Sequence, residues 1–183
     1  RSHDEVGRVR WGLVLGGGGV LGGAWTVGAL SALQEVHGLD PRDAAMIIGT
    51  SAGSVTAALL GAGVSVAELR AHQLGQRELL VRLDGVDWDY EQATGGSHPP
   101  RPAWHPGSAG LVVHNAHRLR RLPPTAVLAA LVPTGRGSLD AVGRLMEQVE
   151  PSGWSRHPGV RVVAMDFSTG RRVAFGDPEA PRA

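Results

Sequence analysis

The sequence predicts an α/β protein built on a mainly parallel sheet. Three observations carry this expectation. Short apolar runs alternate with stretches of helical periodicity. A glycine-dense turn stands where each of the first two runs gives way to a helix. Those two turns, "LVLGGGGVLGG" at Leu13–Gly23 and "GTSAG" at Gly49–Gly53, lie about thirty residues apart, the length of one strand–helix–strand unit.

Each element follows from its own residues. "RVRWGLVL", Arg8–Leu15, turns apolar toward its end and reads as a buried strand running into glycines. A helix is expected to begin at Gly22 or Gly23. Its stretch "AWTVGALSALQEVH", Ala24–His37, sets Trp25, Val27, Leu30, Leu33 and Val36 near a helical period. Gly38 supplies the stop, and Pro41 fixes a turn in "DPRDAA". "AMIIG", Ala45–Gly49, is short and apolar and reads as a second buried strand. Ala52–Leu60 is the next helix, and Val66–Leu74 a further one. This order makes the first two strands parallel neighbours joined by a crossover. From Asp84 to Gly110 the periodicity vanishes among prolines, glycines and two tryptophans, so 84–110 is expected to be a long loop or mobile insertion. Asn115–Val132 reads as helical with a break at Pro123 and Pro124. A helix with Ser138 or Asp140 near its N-cap runs to Val149. "VRVVAMD", Val160–Asp166, reads as a strand, "STG" as a tight turn and "RRVAFG" as the returning strand of a hairpin.

Composition narrows the function classes. With 183 residues, 42% of them hydrophobic, the chain suits one domain with a real core. A net charge of +1 leaves no electrostatic footprint for nucleic acid. All 18 basic side chains are arginine, which excludes a lysine Schiff base and a P-loop lysine. Cysteine is absent, so disulfides and thiolate metal sites are excluded. No apolar run reaches the roughly eighteen residues that span a bilayer, and "RSHDEVGRVRW" has no apolar signal region. The expected location is cytoplasmic, with peripheral membrane contact. No cofactor is called for.

Ser51 is the residue the pattern isolates. A serine hydroxyl is a poor nucleophile until a base takes its proton and nearby N–H groups receive the oxyanion. A G-x-S-x-G turn between strand and helix lifts the serine onto a strained, exposed position. Side chains two residues away on either side would strike neighbouring backbone, and Gly49 and Gly53 carry none. The free amides of the following helix face the same point. Gly16–Gly19 bring bare amides to the carboxyl end of the adjacent strand, where parallel sheets place their sites. A nucleophile and an oxyanion hole are thereby expected across one crevice. Each motif alone also serves plain helix–strand packing; the pair in this context favours catalysis.

These residues resemble the patatin-like phospholipases. "GLVLGGGGVLGGAWTVGAL" is similar to that family's oxyanion loop and helix, and "IIGTSAGSVTAALLGAG" to its nucleophile elbow, a match close over Val9–Gly63 and weak afterwards. The resemblance implies a three-layer α/β/α sandwich and a serine esterase or lipid acyl hydrolase working through a Ser–Asp dyad. It implies Ser51 as nucleophile and the amides of Gly17, Gly18 and Gly19 as oxyanion donors. Residues 1–183 then form one such domain in part. Two departures stand out. Leu21 occupies the point where the family often carries a basic residue, which weighs against a preference for acidic head groups. The family's Asp-Gly-Gly or Asp-Gly-Ala motif is missing: Asp84-Gly85 comes too early and precedes valine, Asp166 ends a strand before "FSTG", and Asp177 precedes proline. The "VRVVAMDFSTGRRVAF" segment is similar to the strand pair that comes before the family's aspartate. The chain is therefore read as a fragment, incomplete at its C-terminus, with the dyad aspartate beyond Ala183 and full activity not expected of it alone.

Other readings stay open. The Gly17, Gly19, Gly22 spacing also suits a nucleotide-binding turn, though an acidic residue is wanted at the end of the second strand and Gly49-Thr50-Ser51 stands there. A non-catalytic scaffold fits the missing aspartate. His98 or His105 as base of a triad would require several strands before the elbow, and this chain has one. His114 and His117 have helical spacing but no third ligand nearby, so they read as surface residues and no metal is expected. Trp88, Tyr90 and Trp104 read as packing the loop onto the body, with a lipid-touching lid as the alternative. Arg118–Leu122 reads as a solvated helix face. The expected partners are a lipid or small ester and, transiently, a membrane surface.

Overall fold

The computed structural model describes residues 10–86, 88, 110, 113, 128, 132–133, 138–167, 169–178 and 180. The first strand, β1 (Gly12–Leu15), leads through Gly16–Gly18 into α1 (Gly19–His37). A 3₁₀ turn at Pro41–Asp43 precedes β2 (Met46–Gly49), α2 (Ala52–Gly61) and α3 (Val66–Gln73). A second 3₁₀ turn spans Arg77–Leu79. Later come α4 (Asp140–Val149), β3 (Val160–Met165) and β4 (Arg172–Phe175).

The sheet order is β1-β2-β3-β4. The pairs β1·β2 and β2·β3 are parallel; β3·β4 is an antiparallel hairpin. The α/β class, the mainly parallel sheet and the hairpin agree with the sequence expectation. Leu13, Leu15, Ile47, Gly49, Val160 and Val162 share one face, as the register requires. Leu15, Ile47 and Val160 are buried there in one core with Val27, Leu30, Leu59, Leu60 and Leu145. Helix α2 packs against this face, α1 packs on α2 and α3, and α4 packs on α2. The opposite face carries Val14, which is 80% exposed, and the half-exposed Met46.

Two element starts differ from expectation. Strand β1 begins at Gly12, with Arg10 and Trp11 outside it, rather than at Arg8. Helix α1 starts at Gly19 rather than at Gly22 or Gly23. Glycine is a poor helix former, but Gly18 at the N-cap has φ 152° and accepts the first helical bond from the Gly22 amide at 2.9 Å. A Cβ on Gly18 would lie 2.8 Å from Gly22 Cα. The glycines thus let the first turn close tightly against the loop. Most of the expected 84–110 loop, the Asn115–Val132 helix, Tyr90, Trp104, His98, His105, His114, His117 and the Arg118–Leu122 run fall outside the described residues. Trp88 is described and stacks on His72, ring centroids 4.6 Å apart, in line with a packing role.

A buried carboxylate missed by sequence reasoning holds the segment after α3. Glu68 is 5% exposed. Its Oε1 accepts from the backbone amides of Val81 and Leu83, each at 2.8 Å, and from that of Arg82 between them. A lone glutamate on a short helix gives no pattern from which this could be read.

Candidate active site

The site lies where β1 and β2 end together. Leu15 and Gly49 are register partners, so the two glycine turns leave the sheet at the same level. The Thr50 amide donates to the Leu15 carbonyl at 3.1 Å and ties them. Ser51 has φ 53° and ψ −129°, and among the described residues it is the one non-glycine with positive φ. Such a conformation costs on the order of 1–3 kcal/mol and persists only where surrounding structure enforces it. The enforcement is visible. A Cβ on Gly49 would overlap the Gly53 carbonyl, and one on Gly53 would overlap the Leu15 carbonyl. Both glycines are buried. The first turn of α2 is thus seated directly on the end of β1, and Ser51 is turned outward.

Ser51 is exposed, and among the described residues its hydroxyl makes no hydrogen bond. A Cβ built on Gly17 would lie 3.2 Å from Ser51 Cβ and 3.7 Å from Ser51 Oγ. Adding the ~1.5 Å carbon–carbon bond puts Gly17 Cα within about 5.2 Å of that oxygen. The Gly17 backbone and the Ser51 side chain are therefore neighbours. The amides of Gly17, Gly18 and Gly19 donate to no acceptor among the described residues. Gly19 opens α1, and Ala52 opens α2 immediately after the serine. Two helix N-termini meet at one point, and neither first turn carries an acidic side chain. Their partial positive charges are left unneutralised and favour an anion there. The Ala52 amide, also without an acceptor, is the first of the helix amides expected from the sequence to face this point.

No carboxylate is hydrogen-bonded to Ser51 among the described residues. Asp177 is paired with Arg161 Nε at 2.5 Å. Asp166 Oδ1 accepts from the Thr169 amide inside the hairpin turn, at 3.4 Å. Asp84 lines a separate cavity with His72 and Trp88. Among the described residues no group of three or more histidine or acidic side chains is placed to hold a metal ion, and no helix is long and apolar enough to cross a membrane.

A strained serine between a strand and a helix, facing a glycine loop, is the architecture of α/β hydrolytic enzymes. The family model described as Patatin-like phospholipase matches residues 13–145, more than half of the chain, and the chain belongs to that family of lipid-acting hydrolases. Comparison with curated proteins and with solved structures returns no match.

Proposed function

We propose that the protein is a serine carboxylic ester hydrolase acting on lipid acyl esters, with Ser51 as nucleophile. Ser51 Oγ attacks the ester carbonyl as its proton passes to a carboxylate. The carbonyl oxygen becomes an oxyanion held by the amides of Gly17, Gly18 and Gly19, with the Ala52 amide alongside. Collapse expels the alkoxide, which takes that proton from the carboxylic acid and leaves as the alcohol. Water, giving its proton to the carboxylate, then frees the acyl group, and the proton returns to Ser51 Oγ. Gly49 and Gly53 hold the elbow. Following the family resemblance, the carboxylate is an aspartate; a general base of this kind contributes about 10²–10⁴-fold. The observation that carries the reading is the positive φ of Ser51 together with its contact distance to Gly17.

Exposed apolar side chains around the crevice support transient contact with a lipid surface. Leu21 is 85% and Trp25 76% exposed, one helical turn apart on α1. Met165 and Phe167 are exposed at the carboxyl end of β3. A fluorophosphonate probe is expected to label the native protein and not Ser51→Ala. Labelling that persists in Ser51→Ala, or a folded native protein that stays unlabelled, overturns the assignment.

A further inference from the structure

We propose that the apolar cavity between α2, α4 and β3 takes the acyl chain of the substrate and limits it to medium length. This rests on the reading of Ser51 above and adds to it a selectivity.

The cavity holds about 310 Å³, a size at the lower end for small-ligand sites. One end of its lining adjoins the elbow. Ser54, on its wall, sits one turn of α2 below Ser51 and donates its hydroxyl to the Ser51 carbonyl at 2.6 Å. Val162, also on the wall, stands on β3 in register with Gly49. Deeper in, Ala58 faces Val142 and Met146 of α4 across the cavity, and every one of these side chains is apolar. The far end is set by Trp154, Ser155 and Glu150.

The depth follows from the helix. Ser155 lies against Gly61 so closely that a Cβ there would overlap its Oγ. Seven residues separate Ser54 from Gly61, about 10 Å along an α-helix. An extended alkyl chain advances about 1.3 Å per carbon, given ~1.5 Å bonds in a zigzag, so the cavity spans on the order of eight carbons. Its floor is polar. Glu150 is 6% exposed; Ser152 Oγ donates to its Oε1 at 2.6 Å, and Arg156 Nε lies 2.9 Å from its Oε2. Pressing a methyl terminus onto this ion pair would strip its remaining solvation without replacing it. Chains that stop short of the floor gain from burial, and longer ones do not.

The test is a chain-length profile on the protein, using p-nitrophenyl esters from acetate to hexadecanoate below their aggregation limits. The expected kcat/KM rises about fourfold per methylene to an optimum near C8–C10 and falls by C16. Ala58→Phe, filling the cavity from α2, is expected to lower the C8-to-C2 ratio at least tenfold. Met146→Ala, widening it from α4, is expected to move the optimum to longer chains. Ester turnover with one and the same profile in all three proteins overturns the proposal. A second arm does not depend on catalysis: displacement of cis-parinaric acid by decanoate. If no ester is turned over and the fluorophosphonate leaves Ser51 unlabelled, the Ser51 reading fails, yet decanoate binding that Ala58→Phe abolishes still upholds the cavity. Native protein that binds no decanoate overturns it.

Discussion

Replacing Gly17 with alanine separates a catalytic role for the glycine loop from a structural one. The backbone at Gly17 does not have positive φ, unlike that at Gly18 and Gly19. Alanine therefore fits it without conformational strain and, by restricting the unfolded chain, should stabilise by about 0.4–1 kcal/mol. The new methyl would sit 3.2 Å from Ser51 Cβ and 3.7 Å from Ser51 Oγ. Optimal carbon–carbon separation is about 3.5–4.0 Å, so the overlap with Ser51 is a few tenths of an ångström, and an exposed loop can yield by that much. The net change in folding stability is thus expected to stay within about 1 kcal/mol. Activity is another matter. The methyl would occupy the space beside Ser51 Oγ where the carbonyl oxygen of a bound ester must turn into the amides. Loss of one oxyanion donor costs about 10²–10³ in kcat, and Gly17→Ala is expected to cost at least that. Steady-state hydrolysis of a p-nitrophenyl ester and a urea titration, run on the same preparation, give both numbers. A variant that keeps kcat/KM within threefold of native would refute the reasoning. So would a loss of activity that merely follows a loss of fold.

Glu68→Ala leaves three backbone amides of the 81–83 segment without their acceptor; a loss of roughly 2–4 kcal/mol in urea is expected, taking about 1–3 kcal/mol per stranded buried donor with partial rescue by water. Glu68→Gln, which keeps an acceptor oxygen, should lose less. The pKa of His72 is lowered by burial and, less strongly, by the charge of Arg77. A histidine depressed in the fold is protonated first in the unfolded chain, so stability is complete above its ordinary value of 6.5 and declines as pH falls below it. Urea midpoints between about pH 5 and 7 should show that decline, and His72→Phe, which keeps a ring against Trp88, should flatten it.

Much of this molecule is legible in the sequence because local and global demands agree. Gly49, Ser51 and Gly53 follow an apolar β-branched run and precede a helical one, so the elbow reads directly from residue types. The hairpin of β3 and β4 is as plain, with Gly170 in the turn between two apolar strands. The start of α1 was less legible. Propensity argues against a helix beginning inside four glycines, and tertiary packing of Gly18 on Gly22 overrides it. Contacts between residues distant in sequence leave no periodic trace at all. Glu68 with the 81–83 amides and His72 with Trp88 belong to this class. The serine's basic partner leaves no such trace: Asp166 and Asp177 lack the Asp-Gly-Gly or Asp-Gly-Ala context, and each is engaged in or beside the hairpin.

The central claim is that Ser51 Oγ and the amides of the Gly17–Gly19 loop together hold a negative charge. A crystal structure of the protein after exhaustive reaction with a fluorophosphonate tests it most directly. The account predicts phosphorus bonded to Ser51 Oγ, with the phosphoryl oxygen about 2.7–3.1 Å from at least two of those amide nitrogens. A phosphoryl oxygen turned to solvent, or a phosphonate carried by some other residue, would contradict it.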